Sequence, residues 1–118
     1  MRRVVTTNET MIETLRLLRS KAREKPIWGR VAELLSRPAR RRPQVNLSKI
    51  NRYASDGDFI IVPGKVLGTG RLNKKVTVAA FTFSAKAAQQ IASAGGRILT
   101  LRDAVNEVQD YTKVKVLV

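Results

Sequence analysis

Val76-Thr77-Val78-Ala79-Ala80-Phe81-Thr82-Phe83 is an eight-residue run without a charge at either parity. Successive side chains of a strand point to opposite faces, so this run predicts a strand covered on both sides. The residues after it continue the pattern. Ser84 is placed to cap a helix with Ala85, Ala88, Ile91 and Ala92 on one face. Gly95-Gly96 supplies its stop. Ile98-Leu99 reads as a short buried strand, and Thr100 can cap a further helix with Leu101, Val105 and Val108. Val114 to Val118 closes as a strand. Before the run, Asp56-Gly57-Asp58 is a turn. Phe59 to Val62 is a β-rich stretch ending at Pro63-Gly64. Val66-Leu67 is a short extended piece closed by Gly68-Thr69-Gly70. Residues 56–118 therefore read as a compact α/β unit.

The first half reads as helices joined by basic connections. Thr6-x-x-Glu9 is a capping-box pattern, with Asn8 as an alternative cap. Met11, Leu15, Leu18 and Ala22 then recur at helical spacing with Ile12 beside them, and Arg16, Arg19, Lys21 and Arg23 fill much of the rest. This helix should end near Lys25-Pro26. A second runs from Pro26 or Ile27 to Leu35 with Trp28, Val31, Ala32 and Leu35 inward, and stops before Pro38. Arg37 to Pro43 has no period and no core residue, which predicts an extended, solvated arm or loop. Val45 and Leu47 could alternate into a short strand. Asn46 or Ser48 then caps a short helix with Lys49, Ile50, Arg52 and Tyr53. At 118 residues the chain is expected to be one domain, with a basic helical part and arm at 1–55 and the α/β part at 56–118.

The charge narrows the function. There are 23 Lys+Arg against 9 Asp+Glu, a net +14. Residues 1–55 hold 14 of the basic residues and 4 of the acids. Such an excess repels itself in the folded state, and a polyanion relieves it. Lys and Arg on phosphates also release condensed counterions, which drives binding whatever the base sequence. A membrane partner is disfavoured, because no segment approaches the ~20 apolar residues of a span. The first residues lack the apolar core of a secretory signal. Without Cys or His there is no disulfide, thiolate zinc site, Cys nucleophile or imidazole base. The lack of Cys fits a cytosolic protein.

Arg37, Arg40, Arg41 and Arg42, set between Pro38 and Pro43, form the sharpest local feature. A guanidinium grips phosphate oxygens in a planar fork. Pro63-Gly64-Lys65-Val66-Leu67-Gly68-Thr69-Gly70-Arg71, followed by Lys74-Lys75, invites a nucleotide-site reading, but the spacing fails. A P-loop needs glycine where Phe59 stands, and the dinucleotide fingerprint needs one at Asn73. This segment instead predicts a tight turn offering Lys65, Arg71, Lys74 and Lys75 to an RNA backbone. Asp56 and Asp58 are the only close carboxylate pair; with no third ligand nearby they make a turn, not a metal or acid–base site. Ser48 and Ser84 are explained as helix caps. No catalytic residue, metal, cofactor or small-molecule substrate is expected. Among the aromatics Tyr53 alone is placed to stack on a base, which favours phosphate and shape contact with folded RNA over readout of a free strand.

Three stretches together carry a family resemblance: Val45-Asn46-Leu47-Ser48-Lys49-Ile50-Asn51-Arg52-Tyr53, then Val62 to Gly70, then Val76-Thr77-Val78-Ala79-Ala80. They resemble the "eighteen-e" large-subunit ribosomal proteins of archaea and eukaryotes, relatives of bacterial large-subunit protein fifteen. The resemblance covers essentially the whole chain, and the short length is similar to archaeal members. It implies an α/β fold, an irregular superhelix of strand–strand–helix turns with a basic helical N-terminal part. It implies a cytoplasmic, structural role in the large ribosomal subunit, with large-subunit ribosomal RNA and neighbouring ribosomal proteins as partners. The RNA contacts expected from the residues are Arg37, Arg40, Arg41, Arg42, Lys49, Arg52, Lys65, Arg71, Lys74 and Lys75. The alternative from another class is a free-standing RNA- or DNA-binding protein acting outside the ribosome.

Overall fold

The computed structural model describes residues 7–118, with side chains from Thr10 onward. The Thr6–Glu9 capping box lies outside the described residues. Helix α1 spans Thr7–Lys21 and α2 spans Ile27–Leu35. A short strand β1 (Gln44–Asn46) runs into α3 (Leu47–Tyr53). Strands β2 (Phe59–Leu67) and β3 (Thr77–Phe83) follow, then α4 (Ala85–Ser93), β4 (Arg97–Thr100), α5 (Leu101–Glu107) and β5 (Val114–Val116).

All strand pairings are parallel. The order is β1-β2-β3-β4, and β5 pairs with the first half of β2 where β1 pairs with the second. Alternation along β2 and β3 sorts the core into two layers. Ile60, Val62, Val66, Val78 and Ala80 pack with Leu47 and Ile50 of α3 and Ala87 and Ile91 of α4. Ile61 and Ala79 face the other way, onto Met11 and Leu18 of α1, Trp28, Val31 and Leu35 of α2, and Leu101 and Val105 of α5. The sheet is thus covered on both faces, as the uncharged run from Val76 requires. Trp28 is fully buried, yet its Nε1 donates to the Tyr111 hydroxyl at 2.9 Å, so its polar edge is satisfied.

The helix signals hold at most ends. Ser84 accepts from the Ala87 N–H at 3.1 Å and Thr100 from the Asp103 N–H at 3.1 Å. Five expectations need correction. The first helix stops at Lys21, because residues 22–25 form turns that swing the chain into α2. The buried stripe of α4 is Ala87 and Ile91, while Ala85 and Ala92 are exposed; alanines at several registers made the inward face ambiguous. Asn46, not Ser48, stands at the N-cap of α3, since Ser48 lies inside the helix; the Asn46 side chain makes no capping bond, and its buried Oδ1 has no hydrogen-bond partner. Ile98-Leu99 is an edge strand, not a buried one: among the described residues β4 pairs only with β3, and Ile98 is 44% exposed. Finally, the two pieces Phe59–Val62 and Val66–Leu67 are one strand. Pro63-Gly64 forms a bulge, one extra residue between the Val62↔Ala80 and Lys65↔Thr82 pairs.

Gly64 explains why that bulge is possible. A Cβ there would sit 2.0 Å from the Pro43 carbonyl oxygen, the same oxygen that accepts from the Lys65 N–H at 3.0 Å. Only the absence of a side chain lets the two backbones meet. Gly64→Ala should therefore destabilise the fold by about 2–3 kcal/mol, the scale of overpacking against atoms that cannot give. Urea unfolding should show a lower midpoint at unchanged slope.

Candidate nucleic-acid interface

The structure divides the ten sequence-selected cations into four groups. Lys49, Arg52 and Arg71 come together around the glycine turn. The Ser48 N–H donates to the Thr69 carbonyl at 3.2 Å, and the Asn73 N–H to Asn51 Oδ1 at 3.1 Å, which lays residues 69–73 along α3. Gly70 has φ +94°, and a Cβ on it would lie 2.6 Å from Ser48 Cβ, so the turn needs glycine twice over. Gly68 meets α4 in the same way, 2.8 Å from Lys86, and its carbonyl accepts from Gln90 at 3.2 Å. Lys86 thus joins this group; its contact with Gly68 exists only in three dimensions, and sequence reading did not select it. A shallow groove of about 280 Å³ runs along α3, lined by Ser48, Lys49, Arg52 and Tyr53. Tyr53 is 51% exposed beside it.

Arg37, Arg40, Arg41 and Lys65 form a second group at the β1–β2 edge. All four are exposed. The arm is not extended here: Ala39–Arg41 makes a single 3₁₀ turn. Its fold follows from Arg42, whose Nε donates to the carbonyls of Leu35 at 3.0 Å and Arg37 at 2.9 Å. Arg42 therefore terminates α2 and closes the arm into a loop.

Lys74 has a corresponding internal post. Its ammonium donates to the carbonyls of Asn51 and Ala54, the latter at 2.6 Å, at the C-terminal end of α3. Arg42 and Lys74 are the third group. Lys75, next to Lys74 in the chain but exposed, makes the fourth. It precedes β3, and its carbonyl accepts from the Gly57 N–H at 2.8 Å. The length of β3, roughly 20 Å, separates it from the glycine turn. Lys113, also exposed, is its neighbour across Gly57. Lys49 is partly engaged as well, donating to the carbonyl of Val118.

Four glutamates pair at the surface with the fold's own cations. Glu13 pairs with Arg102 at 3.3 Å, Glu24 with Lys21 at 2.8 Å, Glu33 with Arg30 at 3.6 Å and Glu107 with Arg97 at 2.8 Å. Asp56 accepts from the Lys75 N–H at 2.8 Å and stabilises its turn. Asp58 is buried; it accepts from the Ser55 N–H at 2.8 Å and from Lys115 at 2.7 Å. Burial pushes its carboxyl up. The hydrogen bonds from Lys115 and Ser55, with the charges of Lys115 and Lys113, outweigh this and hold it below the usual carboxylate range. Both aspartates are turn-formers. Among the described residues no group of three acidic or metal-ligating side chains could hold a metal, and no helix is long and apolar enough to cross a membrane.

A family model for ribosomal proteins 50S-L15 and 50S-L18e, and their 60S counterpart, matches residues 32–99. That span takes in the arm, α3, the glycine turn and both long strands. The chain is 42% identical over 119 residues to the large ribosomal subunit protein eL18 of Methanococcus maripaludis, covering 99% of each. It is 46% identical over 94 residues to the protein of that name from Sulfurisphaera tokodaii, covering 80% of each. To that of Methanothermobacter thermautotrophicus it is 42% identical over 118 residues, covering 98% of each.

Two outcomes follow from this division of labour. Arg42→Gln and Lys74→Gln should each lower stability by about 1.5–3 kcal/mol, the scale of a charge-assisted hydrogen bond. Arg40→Gln and Arg41→Gln should leave the urea midpoint in place. For Asp58, a carboxyl held low contributes stability above the ordinary Asp range near pH ~3.9, and loses it as pH falls through the lower folded value. Asp58→Asn should be less stable at neutral pH and show a flatter decline below about pH 4, with RNA affinity unchanged.

Proposed function

The chain belongs to the L15/L18e family of ribosomal proteins, and from that premise we propose that it is a structural, non-catalytic constituent of the large ribosomal subunit in the cytoplasm, binding and stabilising folded large-subunit ribosomal RNA. Neighbouring large-subunit proteins are its other partners. The observation that carries this reading is the set of cations without an acidic side-chain partner among the described residues: Lys49, Arg52, Arg71 and Lys86 around the glycine turn, and Arg37, Arg40, Arg41 and Lys65 at the β1–β2 edge. These eight meet phosphate and ribose. Tyr53, flanked by Lys49 and Arg52, offers a face to an unstacked base. Lys75 makes a separate contact at the far end of β3. Arg42 and Lys74, also selected from the sequence, contribute through the loops they hold.

The reading takes the whole chain as one domain, because both core layers draw on residues before and after position 55. It takes the repeated strand–helix turns of the parallel sheet as a short, irregular superhelix, with the basic helical segment wrapped against it.

The test is the salt dependence of binding to large-subunit RNA fragments. Log affinity should fall linearly with log salt, by about 0.7–0.9 per phosphate neutralised. The variant K49Q/R52Q/R71Q should shallow that slope by about 2–3. R40Q/R41Q should shallow it by up to about 2. A flat salt response, or equal competition by duplex DNA and ribosomal RNA, would overturn the reading.

A further inference from the structure

Helix α1 carries a basic stripe that neither its packing nor the eight cations above account for. Ile12, Arg16 and Arg19 recur at four and three residues, which sets them on one flank of the helix, and Arg23, in the turn just past its end, continues the line. With Leu15 and Ser20 they line a groove of about 520 Å³. The opposite flank has other work. There Thr10, Thr14 and Leu17 line the cleft against α5. Glu13, which shares a hollow with Arg16, is taken up by Arg102 at 3.3 Å. All three arginines of the stripe are exposed, and none has an acidic partner among the described residues. Ile12 is 57% exposed in line with them. The one acid adjoining the stripe's C-terminal end, Glu24, is held by Lys21.

The layers of the fold fix where this stripe lies. α1 belongs to the layer over Ile61 and Ala79, whereas α3 and α4, which frame the glycine turn, belong to the layer over Ile60 and Val78. The body measures 37 × 36 × 28 Å. An RNA helix seated on Lys49, Arg52 and Arg71 is on the other side of the sheet from Arg16, Arg19 and Arg23.

We propose that the α1 stripe is a second RNA surface, and that the protein bridges two separate RNA duplexes, one on each side of its sheet. This rests on the reading that the chain binds ribosomal RNA, and adds a second, independent contact to it. The occupant is set by charge complementarity. Arg16 and Arg19 stand about 5–6 Å apart on one flank of α1, and with Arg23 beyond the helix end they offer planar forks suited to neighbouring phosphates. The apolar Ile12 fits against ribose in the wide, shallow minor groove of A-form RNA.

The experiment uses the full chain and two short RNA duplexes, one carrying a donor dye and the other an acceptor, at low salt, with the protein checked as monomeric by sedimentation. The parent should produce energy transfer at one protein per two duplexes. R16Q/R19Q/R23Q should reduce the bridged complex at least tenfold while still binding a single duplex. The charge-matched control K21Q/R30Q/R97Q removes three cations from ion-paired positions and should keep the bridge. Circular dichroism should show α1 intact in both, since Gln is a good helix former. Bridging by the α1 variant at the parent's level overturns the proposal, as does equal loss in the control. A parent that binds one duplex but never two overturns the second surface alone; a parent that binds neither overturns the RNA reading with it. Displacement of RNA from the stripe by polyglutamate at equal charge concentration would point instead to an acidic protein partner, and overturns it too.

Discussion

Ile60, Ile61 and Val62 are consecutive in sequence, and all three are withdrawn from water. In a strand this is possible only if both faces of the sheet are covered, and everything else in the molecule follows from that. Each such side chain contributes on the order of 1.5–3 kcal/mol of burial, which exposure of either face would forfeit. α1, α2 and α5 must therefore lie over one face, and α3 and α4 over the other. Parallel pairing adds a second consequence. Each strand has to return to the same end before pairing again, so the connections are crossovers. The β2-to-β3 crossover carries no helix, and the loop that makes it is the glycine turn with Arg71 and Lys74. Apart from Lys65 on β2, the exposed cations without an acidic side-chain partner among the described residues therefore lie on connections and outer helix faces.

The chain has 9 carboxylates for 23 cations, and their placement matters more than their energy. Pairs such as Lys21–Glu24 and Arg97–Glu107 are solvent-exposed and contribute little to stability. Their effect is on the map of charge. They quiet α2 and the α5 edge, and leave the positive potential on the glycine turn, the arm and one flank of α1. A polyanion then meets focused cations instead of a diffuse cloud, and screens the repulsion that a net +14 imposes.

What was legible in the sequence was what is local. Pro26, Ser84, Thr100 and Gly95 mark helix ends through their own backbone chemistry, and the doubly covered strand is evident from its lack of charge. The basic excess was legible as well, since arginine density needs no fold to be seen. Three-dimensional choices were not. Pro63-Gly64 has the local character of a break, and becomes part of a strand only because β1, β3 and β5 hold it on either side and Gly64 lets Pro43 approach. Ile98 looks buried by composition, but no strand among the described residues pairs beyond β4. Among long cations, sequence does not say which side chain turns back. Arg42 and Arg41 are neighbours of identical chemistry, and one terminates a helix while the other faces solvent.

That turning back occurs twice, and for one physical reason. The last carbonyls of a helix lack intrahelical donors and carry the negative end of its dipole. Arg42 supplies the donor at the end of α2, and Lys74 does so at the end of α3. Each belongs to a loop that also carries free cations: Arg37, Arg40 and Arg41 in one, Arg71 and Lys75 in the other. A cation fixed to its own helix thus holds the others in position. An unfixed loop would lose its conformational freedom on docking, and that loss would be subtracted from every phosphate contact it made. Fixing the loop by a bond within the protein moves the loss from binding to folding, where core burial offsets it. Not every arginine in a basic loop has to touch RNA to strengthen its binding.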